Sequence, residues 1–403
     1  MTIKALRSTR IVTPDGLRSG VVVVEKGKIV AITEAYHGEV MDYGERYLMP
    51  GFVDIHVHGW GRGSFAWKGT RESLEAMSRD LVNAGVTAYL ATSATMPQDF
   101  LERSLQAAAE YINTAPPGDG AEAVGIHMEG PYINKKYLGM QREDSLQPPS
   151  VEGFKHYSAL AGGHIRLMTL APELDGALTL IRYLRSLGIT ASAGHTDATF
   201  DQMTAAIDAG LTHVTHAFSA MRGLHHREPG VVGAVMYYRD LYAEVAKQTG
   251  ITLRPEVFDI LYRIKGDRRL VMMSDCLGYV DFPEGYKFHH YLREETFEIS
   301  RGKLQITGKD GDTRCIAPND WHDVCQLEMS FLDSIKAVVN RLENGLVSAA
   351  QIACLNPAKL AGVASRKGSL EPGKDADILV LDEALTLNAV WCRGVEQPLE
   401  KAK

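Results

Sequence analysis

The chain has 403 residues, a formal net charge of −7, 45% hydrophobic residues and 23% charged residues, enough apolar material for one large domain plus a smaller one. Lys and Arg are scattered, leaving no basic face for nucleic acid or an anionic membrane. No run approaches the roughly 20 apolar residues of a membrane-spanning helix. Met1 to Arg10 lacks the apolar stretch of a secretory signal, and the five cysteines show no CxxC spacing, so free thiols and a cytoplasmic location are expected.

In chain order, Ile11-Val12-Thr13 precedes the turn Pro14-Asp15-Gly16, Val21 to Val24 precedes Lys26-Gly27-Lys28, and Ile29 to Ile32 follows. These short runs predict a small β unit over residues 1–50. From Gly51 to about Gly278 strands alternate with helices. Strands are expected at Val53–Val57, Thr87–Thr92, Ala123–Met128, Arg166–Leu170, Thr190–Ala193, Thr212–Thr215, Leu241–Val245 and Leu270–Met273. Helices are expected at Arg71–Ala84, Gln98–Asn113, Leu174–Leu187, Phe200–Ala209 and Pro255–Ile264. Eight such alternations predict an α/β fold of the (β/α)8 TIM-barrel type over residues 51–364.

Asp281 to Asp312 is aromatic, charged and rich in Gly turns, and reads as a hairpin excursion with His289 and His290 on its surface. Helices at Leu332–Leu342 and Ser348–Cys354 close the barrel region. The turn-rich run Gly368 to Asp377 leads to strands at Ile378–Leu381 and Ala389–Cys392. These return to the N-terminal unit, so residues 1–50 and 365–403 are expected to build a small β-sandwich domain together.

The run Met49-Pro-Gly-Phe-Val-Asp-Ile-His-Val-His-Gly carries the first chemistry. Residues two apart in a strand face the same way, so His56 and His58 project together from its end. Glu129 ends the third strand, His195 follows the fifth, His216 the sixth and Asp275 the eighth. A single His after a strand is ordinarily just a satisfied polar residue, and Asp275 alone could cap a helix. Five strands that each end in a ligand-type side chain point to a metal site on the rim where barrel enzymes build their active sites. Nitrogen and oxygen ligands without cysteine suit Zn²⁺ foremost, with Fe²⁺ or Mn²⁺ as alternatives. Such an ion activates water and polarises a carbonyl, and Asp275 is the carboxylate placed to carry the proton. The reaction class is metal-assisted hydrolysis, most naturally of an amide.

These motifs resemble the amidohydrolase superfamily, and within it the N-acetylglucosamine-6-phosphate deacetylases. The resemblance runs through Pro50 to Gly59, His127-Met128-Glu129-Gly130-Pro131-Tyr132, Gly194 to Thr199, Thr215-His216, Ala220-Met221, His225 to Gly230, Ser274-Asp275 and Gly368 to Asp377. It implies that Glu129, His195 and His216 hold the principal ion, that His56 and His58 match members holding a second one, and that Asp275 is the general base and acid. It implies a small-molecule substrate, an N-acetylated sugar phosphate, with Arg227 reading the phosphate across the interface of a homodimer or higher homo-oligomer. Substrate contacts are expected from Ser219, Ala220, Met221, His226, Arg227, Thr252 and Met140.

The departures fall on those contacts. Ser219 stands where the family usually has Asn, Thr249-Gly250-Ile251-Thr252 where it has Asp-Gly-x-His, and Leu138-Gly139-Met140 where it has Gly-Ala-His. The usual Gly-Ser-Thr segment is replaced by Cys315 to Asp323, in which Trp321, His322 and Asp323 either supply new contacts or simply pack. A pocket that has lost hydrogen-bonding groups no longer favours the original polar substrate strongly. An amidohydrolase acting on another N-acyl substrate is therefore the alternative expectation, and a non-catalytic barrel the third.

Overall fold

A strand buried on both faces needs a continuous apolar run, and a parallel sheet buries its strands in that way. The apolar runs between residues 52 and 272 take this course in the computed structural model, which describes residues 3–246, 253–278, 284–285, 287–290, 295–301, 303–316 and 329–400. The expectations for Thr252, Trp321, His322 and Asp323 lie outside those residues, as do the side chains of His289 and His290.

Among the described residues, eight parallel strands lie side by side in chain order: Phe52–Val57, Val86–Thr92, Glu122–Glu129, Ile165–Leu170, Thr190–Ala193, His213–Val214, Tyr242–Val245 and Leu270–Met272. The segment after the eighth strand closes the ring onto the first. Asp275 N donates to His56 O at 2.9 Å, His58 N donates to Cys276 O at 2.8 Å, and Ser274 N donates to the buried Asp54 Oδ1 at 3.2 Å. Backbones approach closely at this seam: a Cβ added to Gly278 would stand 2.7 Å from Gly59 Cα. Only glycine fits there.

The connecting helices form where the sequence supplies caps. Thr70 accepts from Ser73 N at the start of Arg71–Leu81. Thr199 and Gln202 make a reciprocal capping box for Phe200–Ala209, which Gly210 ends in the left-handed conformation. Among the described residues, the helices Val151–Leu160, Gly230–Tyr237 and Asn356–Leu360 were not among those expected. The stretch expected as a helix at Ser348–Cys354 is α-helical over Leu346–Ala350 and then widens into a π turn over Gln351–Leu355, just before Pro357. Proline cannot supply the next backbone donor, which accounts for the widening. The excursion expected as a hairpin is a four-stranded antiparallel sheet, Lys287–His290, Glu295–Ser300, Lys303–Thr307 and Thr313–Ile316.

Both ends of the chain meet in a second sheet. Tyr47–Pro50 pairs with Lys4–Thr13 on one side and with Ile378–Leu381 on the other. The strands are hydrogen-bonded into one continuous sheet, which encloses a core of its own from Leu6, Ile11, Val22, Leu48, Ile378 and Trp391.

A buried charge cluster ties this sheet to the base of the barrel. Lys367, 1% exposed at its side chain, places Nζ 2.6 Å from Asp377, 2.8 Å from Glu122 and 3.1 Å from Asp375. Glu122 opens the third barrel strand, while the two aspartates lead into the small sheet. Arg366 bridges Glu122 and Asp375 at 2.7 Å each, and Lys28 reaches Asp375 at 2.6 Å. Burial alone would raise the Glu122 carboxyl, but Arg366 and Lys367 hold it down at about 2. Removing one member of a buried ionic cluster strands the others, so Lys367→Met is expected to cost about 3–5 kcal/mol. A urea unfolding midpoint shifted by less than the equivalent of about 1 kcal/mol would mean that Arg366 and Lys28 suffice to neutralise the three carboxylates.

Candidate metal centre

All six expected ligands stand at the C-terminal rim of the barrel, in two groups: His56 with His58 and Asp275, and Glu129 with His195 and His216. Within each group one ligand atom per residue lies within 4.8 Å of the others. Strand period puts His56 and His58 on one face, and Glu129 is the last residue of its strand. The other three arrive on turns. His195, His216 and Asp275 have φ of 49°, 29° and 50°, a left-handed conformation that costs a non-glycine residue energy and concentrates at functional sites.

Ring orientation decides what the histidines offer. His195 Nδ1 lies 2.7 Å from Tyr137 O, His216 Nδ1 lies 3.2 Å from Ser219 O, and His58 Nδ1 lies 3.3 Å from Thr92 O. A carbonyl oxygen can only accept, so each Nδ1 carries the hydrogen and donates it. His56 Nδ1 donates likewise to Glu244 Oε2 at 3.2 Å. Every Nε2 is thereby aimed inward. His195 Nε2 stands 3.1 Å from His216 Nε2, and both face Glu129 Oε1, at 3.2 and 3.1 Å. His56 Nε2 and His58 Nε2 are 3.3 Å apart, and each is 3.5 Å from Asp275 Oδ1. Lone pairs of neutral imidazoles converging on a carboxylate repel unless a cation lies among them. The donor set therefore fits one or two divalent ions.

Glu129 belongs to both groups. Its Oε1 serves His195 and His216, while its Oε2 is 3.3 Å from His58 Nε2. Gln141 steadies it, with Nε2 donating to Glu129 Oε2 at 2.6 Å and Oε1 accepting from Thr95 N at 2.5 Å. Gly139, two residues earlier, lies over the site: a Cβ there would be 3.3 Å from His195 Cε1.

Protons are the competing cations. Burial by itself would push down the imidazoles of His56, His58 and His216. The carboxylates of Glu129, Glu244 and Asp275 outweigh it and hold all three up, His58 at about 9. Burial would likewise raise Asp275, but His56, His58 and His216 hold it down at about 2. A site that grips protons this strongly is short of positive charge, and a divalent ion supplies that charge.

A polar floor lies below. His127 Nδ1 donates to Ile55 O at 3.0 Å, and its Nε2 is 2.8 Å from Thr169 Oγ1. From there hydroxyls run through Thr215 and Ser192 to His213 Nδ1, at 2.7, 2.5 and 2.9 Å. Burial pushes His213 down to about 4 and His127 well below its usual value, so this layer is neutral at physiological pH.

The residues expected at the substrate are placed unevenly. Ser219 positions His216 through its backbone oxygen, Ala220 O accepts from Thr196 N at 3.2 Å, and Met221 is buried beside Thr196. Met140 is exposed, and it is the adjacent Gln141 that reaches the metal ligands. His226 and Arg227 are not brought to the ligands. They occupy an exposed turn closed by paired backbone bonds between His225 and Glu228, at 3.2 and 3.1 Å.

Sequence reasoning missed Glu244 and Gln141. A signal existed for Glu244, since it is the lone acid in the apolar strand Tyr242–Val245. For Gln141, in a loop of mixed polarity, there was none.

Comparison with known proteins agrees with this geometry. A family model described as "Amidohydrolase family" matches residues 47–397, and one described as "Allantoinase, composite domain" matches residues 6–46. The chain is 32% identical over 393 residues to the N-acetylglucosamine-6-phosphate deacetylase of Bacillus subtilis (strain 168), covering 94% of this chain and 92% of that one. It is 29% identical over 393 residues to the N-acetylgalactosamine-6-phosphate deacetylase of Escherichia coli O157:H7, covering 96% and 98%. A solved variant of the Mycobacterium smegmatis N-acetyl-D-glucosamine-6-phosphate deacetylase, in complex with N-acetyl-D-glucosamine-6-phosphate, is 26% identical with a TM-score of 0.81 over 98% of this chain and 99% of that one. The barrel, the rim ligands and these matches together place the chain in the amidohydrolase family, within its N-acetylglucosamine-6-phosphate deacetylase branch.

Proposed function

We propose that this protein removes the acetyl group from an N-acetylated amino-sugar 6-phosphate such as N-acetylglucosamine 6-phosphate. The observation that carries the reading is the convergence of four inward Nε2 atoms on the carboxylates of Glu129 and Asp275. Glu129, His195 and His216 would hold one divalent ion and His56, His58 and Asp275 a second, with Zn²⁺ the first candidate. When bound, such an ion lowers the pKa of water to about 7 and polarises the acetyl carbonyl.

Asp275 is suited to the proton transfers. Its side chain is 23% exposed, against 2% for Glu129, so it meets substrate, and it is ionised at neutral pH. It takes a proton from the attacking water as the water oxygen bonds to the carbonyl carbon. It then gives that proton to the amine nitrogen as the C–N bond breaks, releasing acetic acid and the free amino sugar.

Arg227 is exposed and makes no ion pair among the described residues. Beside its turn, Leu224 and Tyr237 are 58% and 70% exposed. These features support a homodimer in which Arg227 of one copy reads the phosphate held by the other. The four described cysteines are free, which supports a cytoplasmic location.

A second reading is favoured by one observation: Leu138-Gly139-Met140 stands in the loop over the ligands in place of the family's usual Gly-Ala-His, and the adjacent Gln141 donates to Glu129. The acyl group or the sugar would then differ while the chemistry is kept. Acetate release from N-acetylglucosamine 6-phosphate, N-acetylgalactosamine 6-phosphate and their unphosphorylated forms distinguishes the readings. No turnover of either phosphate, with turnover of another N-acyl compound, would establish the second.

Asp275→Asn is expected to lower kcat by about 10²–10⁴-fold while the protein retains metal at Glu129, His195 and His216. Near-normal turnover would remove Asp275 from its role. Arg227→Ala is expected to raise KM for phosphorylated substrates about ten- to hundredfold and to leave neutral analogues unchanged; equal effects on both would show that no phosphate is read there. Metal affinity is expected to rise with pH toward about 9, because an ion must displace the proton that the carboxylates hold on His58. Calorimetric titration with Zn²⁺ between pH 6 and pH 9 in buffers of different ionisation enthalpy would check this, and an affinity that is flat with pH and releases no protons would refute it.

A further inference from the structure

Glu244 joins the two halves of the metal centre. Its Oε2 accepts the Nδ1–H of His56 at 3.2 Å and the backbone N–H of His216 at 3.0 Å. His56 belongs to the group with His58 and Asp275, and His216 to the group with Glu129 and His195. One oxygen atom therefore restrains a ligand ring in one half and a ligand backbone in the other. The neighbouring backbone bond, from Ala217 N to Glu244 O at 2.8 Å, ties the same turn to the seventh strand a second time.

The placement is costly unless used. Glu244 is 0% exposed between the buried Ala243 and Val245, and a buried carboxylate is destabilising unless donors reach it. Packing alone would be served better by an apolar residue of similar size. The His216 turn it holds is itself strained, at φ 29°, so the turn needs restraint to keep Nε2 aimed at Glu129. Any shift of the His56 ring would be felt at the oxygen that holds that turn, since both bonds end on Glu244 Oε2. Restraint and transmission are here the same two hydrogen bonds.

We propose that Glu244 is the positioning residue that couples filling of the two metal subsites, so that an ion bound by one half raises the affinity of the other. This rests on the reading of the rim as a metal centre. The coupling is reciprocal: whichever half fills first, the other gains by the same factor.

The test is made on the metal-stripped full-length protein, with Zn²⁺ by calorimetry and Co²⁺ by its ligand-field absorption. The unaltered protein is expected to take up two ions in one cooperative phase. Glu244→Gln keeps the shape and removes the charge, and is expected to split uptake into two steps, each weakened about ten- to hundredfold. The decisive comparison uses His58→Ala, which disables one half only. Adding Glu244→Gln to that variant is expected to weaken the surviving ion at Glu129, His195 and His216 by about tenfold. An unchanged affinity there would show that Glu244 serves His56 alone and would overturn the proposal. Independent, equal binding of two ions in the unaltered protein would overturn it as well. Should Glu244→Gln not fold, Glu244→Asp, which keeps the charge but shortens the reach by one methylene, is put through the same comparison. Failure of the unaltered protein to bind either ion is a separate result, for it removes the metal centre itself.

Discussion

Four histidine rings are held with their inner nitrogens pointing at one another and at carboxylate oxygens, and this is the constraint on which the site depends. Neutral imidazoles do not choose to meet lone pair to lone pair at 3.1 Å, as His195 and His216 do. Each ring is forced into place by an acceptor behind it, three of them backbone carbonyls at Thr92, Tyr137 and Ser219 and the fourth the Glu244 carboxylate. A backbone carbonyl positions a ring only as well as its own strand or turn is positioned. The accuracy of the centre is thus inherited from the barrel: Thr92 ends the second strand, and Ser219 lies on the turn after the sixth.

The same logic explains the division of labour between the two ends of the barrel. At the C-terminal rim, three candidate ligand residues sit in left-handed backbone conformations and imidazole nitrogens crowd against one another and against carboxylates. Both are destabilising until a cation is bound. At the opposite end, Lys367, Arg366 and Lys28 meet Glu122, Asp375 and Asp377 with charge well matched, and the small sheet is anchored there. Strain is gathered where chemistry happens, and compensated charge where only stability is at stake. Barrel architecture permits this because the two ends share strands but no side chains.

Much of this was legible in the residues. The eight barrel strands lie within two residues of the expected positions, because a strand buried on both faces writes itself as an unbroken apolar run. The meeting of the six candidate ligands was legible because each lies at or just after such a run, so that position in the chain implied position on the rim. The return of the C-terminal strands to the N-terminal unit could be read from the Gly-rich turn before Ile378. Legibility failed where contacts are made by residues with no periodic neighbours. Gln141 reaches Glu129 from a loop whose path depends on Asn134 N bonding to His195 O at 2.8 Å, a long-range contact that no local pattern encodes. The excursion after the barrel was read as a hairpin because its Gly-rich turns mark strand ends without saying how many strands pair.

Glu244 is the instructive failure. The strand that contains it lies where it was expected, and the acid within it was not singled out. The desolvation of a fully buried carboxylate in a barrel strand must be offset by donors fixed in direction. In a (β/α)8 fold the interior of a strand near its C-terminal end faces the rim ligands. Among the described residues, the donors that reach Glu244 Oε2 are the Nδ1–H of His56 and the backbone N–H of His216. An acid in the last half of a barrel strand, in a chain whose first, fifth and sixth barrel strands lead to histidines, therefore points to a histidine held from behind. The His56 ring is that histidine, and its tautomer follows from Glu244 rather than from anything in its own strand.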